Sequence, residues 1–104
     1  MPFQRSHSIE IGGREYQLNV TLQALLKLHR RFRSIGEAAD RVRLMDFVAI
    51  CDVVAIGAGL KDEEVKGLQA AVFRHGVLNV TGAVADYLAS MLDPEGGDES
   101  SGEA

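Results

Sequence analysis

The sequence predicts an α+β protein that is mostly helical, with an N-terminal β-hairpin packed on a bundle of about four helices and a disordered acidic C-terminal tail. Three observations lead there. Residues Ile9 to Val20 alternate apolar and polar side chains on both sides of Gly12-Gly13, the period of two strands joined by a tight turn. From Thr21 the apolar spacing changes to three or four residues, that of a helix packed along one side. The 104 residues, 46% hydrophobic and 25% charged, have the size and composition of one soluble globular domain. The expected divisions are a flexible N-terminus at 1–7, a single hairpin-plus-helices domain at 8–92 and the tail at 93–104.

The first helix should begin at Thr21, whose hydroxyl can accept a hydrogen bond from an unpaired amide of the first turn. Its spacing sets Leu22, Leu25, Leu26, His29 and Phe32 on one face, with Gln23, Lys27, Arg30 and Arg31 opposite. A short helix or turn over Gly36 to Arg43 follows. A second long helix starts near Met45 or Asp46 and stops at Gly57-Ala58-Gly59, where glycine can take the left-handed conformation that closes helices. The third opens on Asp62-Glu63-Glu64, acids suited to the positive end of the helix dipole, and runs through Val65, Leu68, Val72 and Phe73 to Gly76. The last is expected to start near Thr81 and to show a single stripe of Val84, Tyr87, Leu88, Met91 and Leu92. Leu18-Asn19-Val20-Thr21 recurs as Leu78-Asn79-Val80-Thr81, read as one helix-starting device used twice.

The formal charge of -4 is unevenly spread. Five acids and no bases fall in residues 93–104, leaving 11 bases against 10 acids in residues 1–92. The tail carries no large apolar residue with which to offset ordering entropy, hence the expectation of disorder. The apolar run from Phe47 to Leu60 is broken by Asp52 and is shorter than the roughly 20 residues that span a bilayer, so no membrane anchor is expected. Met1 to His7 has one arginine and no apolar stretch, unlike a secretory signal, so a cytoplasmic location is expected.

No chemistry-bearing motif stands out. Cys51 has no second thiol for a disulfide or metal and lies among Ala49, Ile50, Val53 and Val54, so it should behave as a small buried hydrophobe. His7, His29 and His75 share no ligand spacing. Gly57-Ala58-Gly59 follows a helical pattern rather than a strand and lacks the third glycine of a dinucleotide loop. There is no Gly-Lys-Ser/Thr phosphate loop, no His-Glu-x-x-His and no nucleophile elbow. The expectation is a non-enzyme without catalytic residues, cofactor or metal.

Two surfaces remain as binding candidates. Lys27, Arg30, Arg31 and Arg33, with Arg41 and Arg43 beyond, form a basic stretch that could neutralise phosphates, although the near-neutral core and the lack of interleaved aromatics argue against nucleic acid. The helix from Phe47 to Ile56 is apolar nearly all round, so it must be covered all round, and a domain this small has little with which to cover it. The helix is expected either to be simply the central core helix or to leave part of its surface for a partner or a second copy of the chain, and the two readings can both be partly true.

Taken in order, Ile11-Gly12-Gly13-Arg14-x-Tyr16-x-Leu18, Thr21-Leu22-x-Ala24-Leu25, Gly36-x-x-Ala39, the apolar helix and Asp62-Glu63-Glu64-Val65 resemble the tail-protein family of phage-like gene transfer agents. Its members are described as tail tube or tail assembly chaperone components. The resemblance spans roughly residues 8–92 and rests on order and spacing. Lys27-Leu28-His29-Arg30 departs from it, standing where a more acidic helix is expected. What the resemblance implies is a protein of virion morphogenesis in a bacterial host, encoded by a prophage-like element. It would be a chaperone that keeps the long helical tape-measure protein soluble among other tail proteins, or alternatively a structural tube component incorporated in the particle. A tube subunit should build more sheet than one hairpin, which favours the chaperone. On that reading Phe47, Val48, Ile50 and Val54, with Val84, Tyr87, Leu88 and Met91 of the last helix, are expected to form the groove for the partner. A small nucleic-acid-binding protein using the basic face is the third possibility.

Overall fold

Two glycines make the first turn possible. Gly12 and Gly13 both have positive φ, 62° and 87°, which side-chain-bearing residues rarely adopt and which a two-residue hairpin turn with the right-handed strand twist requires. The computed structural model describes residues 5–94, and in it β1 (Arg5–Ile11) pairs antiparallel with β2 (Arg14–Val20), Ile11 opposite Arg14 and Ile9 opposite Tyr16. Residues 5–7, expected to be part of a flexible N-terminus, belong to β1; the tail from residue 95 onward lies outside the described residues. Alternation does what the sequence implies. Ile9, Ile11, Tyr16, Leu18 and Val20 are buried on one face, while Ser6 and Ser8 meet Gln17 and Glu15 on the other.

Thr21 caps α1 (Leu22–Phe32), its Oγ1 accepting from the Ala24 amide at 3.1 Å. The buried stripe of this helix differs from the expected one: Ala24, Leu28 and Phe32 face the core, Leu25 is half-buried, and Leu22, Leu26 and His29 are exposed. The helix leaves β2 rotated so that Leu28 enters the interior. α1 offers two overlapping apolar stripes, and the angle set at Thr21 decides between them.

Ser34 starts α2 (Ile35–Arg43) by accepting from the Glu37 amide at 3.0 Å, so the expected short segment is a full helix burying Ile35, Ala38 and Val42. The turn to α3 (Phe47–Ala58) runs through Met45 at φ 62°, and Asp46 caps α3 by accepting from the Ala49 amide at 3.1 Å. Gly59, left-handed at φ 69°, ends it, with the Leu60 amide reaching back to the Ala55 carbonyl at 2.9 Å. α4 (Asp62–His75) opens with the Glu64 carboxylate accepting from the Lys61 amide at 2.8 Å and ends at Gly76 as expected. Only Leu68 and Val72 of α4 are buried; Phe73, expected in its stripe, is 77% exposed.

α5 (Leu78–Leu92) begins three residues before the expected Thr81. There Thr81 does not cap. It sits one turn inside the helix and donates its hydroxyl to the Val77 carbonyl at 2.8 Å, while Asn79 donates its side-chain amide to the carbonyl of His75 at 2.9 Å. The repeated tetrapeptide therefore has two structures, a strand leading into a cap at Leu18–Thr21 and a first helical turn at Leu78–Thr81.

Among the described residues the expected short segment makes five helices beside the hairpin, in keeping with the mostly helical α+β fold, and α3 is their centre, touching β2, α1, α2, α4 and α5. Ala49, Ile50, Cys51, Val53, Val54 and Ala55 are all buried, which explains an almost uniformly apolar helix. Each fully buried Ile or Val contributes roughly 1.5–3 kcal/mol over leaving it in water, so this one helix supplies a large part of the fold's driving force.

Candidate functional site

The structure takes most of the expected groove into the interior. Ile50, Val54, Val84, Tyr87, Leu88 and Met91 are all buried, each less than a tenth exposed, because both the hairpin and α2 pack against α3 and α5. Tyr87 shows why that face is closed. Its ring packs against Gly57 of α3, and its hydroxyl donates to the Asn19 carbonyl of β2 at 2.6 Å. Burial pushes the Tyr87 hydroxyl well above the usual phenol range, so it stays a donor. As folded, these six residues offer a partner no surface. Of the expected set only Phe47, half-buried, and Val48, about half exposed, reach the outside.

Val48 has neighbours that sequence spacing did not single out. Leu44 and Met45, in the turn between α2 and α3, are exposed, Leu44 at 71%. The Met45 sulfur lies 3.4 Å from the Thr81 hydroxyl, which brings this turn against the start of α5; Leu78, one turn before Thr81 on the same side, is 73% exposed. Leu44, Met45 and Val48 are thus exposed apolar residues at the end of α2 and the start of α3, and the Met45–Thr81 contact places the start of α5, with Leu78, beside them; these four residues are termed the apolar corner. The signal was present as an apolar pair in a turn, Leu44-Met45, where turn residues are usually polar. The turn is held from beneath: Arg41 donates to Asp46 at 3.1 Å, and the Ala49 amide, then Arg41, hold the Asp46 carboxyl below the usual carboxylate range despite some burial.

The basic face is partly assembled. Lys27, Arg30 and Arg31 line a cleft of about 500 Å³ between α1, α3 and the start of α4, whereas Arg33 closes the end of α1 at φ 76° and is not part of the lining. Asp52 and Asp62 line the same cleft. Arg31 donates to Asp52 at 2.7 Å and lies over the Phe32 ring, its guanidinium carbon 4.5 Å from the ring centre. A nucleic-acid backbone would meet these carboxylates along with the cations, which weakens the electrostatic case for it.

His7 and Ser90, 83 residues apart, meet at 2.7 Å between Nε2 and Oγ, beside the edge of the Tyr87 ring. The Ser90 hydroxyl also lies 3.2 Å from the Asp86 carbonyl, and the pair ties β1 to α5. Among the described residues no three His, Cys, Asp or Glu side chains gather as metal ligands, and no helix is long and apolar enough to cross a membrane. Set against protein-family models, curated proteins and solved structures, the chain matches none of them significantly.

Proposed function

We propose that this protein is a phage-type tail assembly chaperone that covers an apolar helical stripe of the tape-measure protein, and that the contact is made by the Leu44, Met45, Val48 and Leu78 corner. The supporting observation is that these large apolar side chains stay in solvent although the core beneath them is already closed. A helix with apolar residues at three- and four-residue spacing needs such a surface, because its stripe is insoluble until covered. The corner is exposed at side chains whose removal leaves the core intact, so binding and folding are separable.

Co-expression with the tape-measure protein tests the reading. Leu44→Glu with Val48→Glu should leave the circular dichroism spectrum and melting temperature of the variant unchanged and send the tape measure to the insoluble fraction. Phe73→Glu, an equally exposed change on α4, should leave it soluble. A tape measure that stays soluble with the double variant, or that is insoluble even with the native chain, overturns the proposal.

A further inference from the structure

Three hollows follow one another along α1, each sharing at least one lining residue with the next. A hollow of about 200 Å³ is lined by Val20, Thr21, Leu22, Leu25, Met91 and Pro94, where the described chain ends. Thr21 also borders a second hollow that reaches Lys27, Ile56 and Gly59, and those three residues in turn border the cleft that holds Arg30 and Arg31. The path they mark out, hollow by hollow, leads from Pro94 along α1 to its basic part. Helix α1 has no acid among its eleven residues. Neither the Lys27 nor the Arg30 side chain has a hydrogen-bond or ion-pair partner among the described residues, whereas that of Arg31 is engaged with Asp52.

We propose that the acidic segment 95–104 of this same chain occupies that path, setting Glu95, Asp98 and Glu99 along α1 toward Lys27 and Arg30. Charge complementarity selects the occupant: the segment has four acids and no base, and no large apolar residue that could seek a core. The length suffices. Ten residues following Pro94 reach about 33 Å when extended, and α1 is about 16 Å long. Exposed ion pairs are individually weak, but a segment tethered at Pro94 is present at an effective concentration on the order of millimolar. Asp52 and Asp62 across the cleft limit the attraction and keep the segment displaceable by a more acidic ligand. The proposal is independent of the apolar corner, which lies at other residues.

Paramagnetic broadening in the full-length chain tests it. The native thiol, Cys51, is fully buried, so Ser101→Cys can be spin-labelled alone. At low salt the amides of Lys27 and Arg30 should lose signal while those of α2 keep it. The loss should vanish at high salt and in a labelled chain that also carries Lys27→Glu and Arg30→Glu. Broadening that is absent at low salt, that survives the charge reversal, or that passes from a labelled chain to an unlabelled isotope-enriched one in a mixture overturns the proposal.

Discussion

Tyr87 lies so close to Gly57 that a Cβ built on the glycine would stand 3.0 Å from the ring and from its hydroxyl oxygen. A methyl group inside a helix normally stabilises it by about 0.8–1 kcal/mol over glycine. Here the ring is fully buried and pinned by its hydrogen bond to Asn19, so it cannot give way. Gly57→Ala should destabilise the protein by about 1–3 kcal/mol, the usual range for overpacking. Gly67→Ala on α4, where a Cβ would meet nothing within 4 Å, should stabilise it by up to about 1 kcal/mol. Urea midpoints of the two variants should move in opposite directions.

Removing the hydroxyl probes the same contact from the other side. Tyr87→Phe leaves the Asn19 carbonyl without the 2.6 Å donor and should cost about 1–2 kcal/mol. The exchange of amides in β2 near Asn19 should quicken at the same time, since the hydroxyl ties that strand to α5. An unchanged urea midpoint would mean that water replaces the hydroxyl without loss.

Asp46→Ala removes both a helix cap and the partner of Arg41 and should cost about 1 kcal/mol, while Asp46→Asn should cost less, because its oxygen can still accept from the Ala49 amide. The pH dependence has a definite sign. With its folded pKa lowered, Asp46 contributes stability that is present above the ordinary carboxylate pKa and is lost as the pH falls through the folded value. Thermal melts of native protein and Asp46→Asn should therefore converge in acid.

Cys51 acts at the other end of the scale. Burial, reinforced by the neighbouring Asp52 carboxylate, pushes its thiol up to about 11. A raised folded pKa contributes stability that is full below the unfolded thiol value of roughly 8.5 and is lost as the pH rises through the folded one. Over that window the native protein should lose up to about 1.4 kcal/mol per pH unit that Cys51→Ala does not lose. Urea titrations of both proteins between the two values check it. The native thiol should also react with a water-soluble disulfide no faster than the protein opens.

Local rules carried the hairpin, the Thr21 cap, the Gly59 stop and the Gly76 stop, because each depends on one or two residues whose backbone preferences dominate. Long-range packing decided the rest. Leu22 and Leu26 fit a stripe as well as Ala24 and Leu28 do, and only the direction of approach from β2 buries the second pair. Thr81 has the same three residues before it as Thr21, yet follows Gly76-Val77 rather than a strand, so its hydroxyl turns back to Val77. Most of the expected groove lies in the interior for a related reason: an all-round apolar helix shows how much must be covered, not by what. The apolar corner was legible only as Leu44-Met45 in a turn, and Asp52 and Asp62 joined the basic cleft from elements that the charge count of α1 could not include.

The two ties between the strands and the last helix, His7 to Ser90 and Asn19 to Tyr87, bear on the order of synthesis. A ribosome releases the hairpin and the first four helices before α5 has formed. Until then α3 lacks one of its covers, and an apolar helix is open to every other chain nearby. The side of α3 that α5 covers therefore stays open until the last of the described helices docks, so the apolar core is completed only at the end of the described chain.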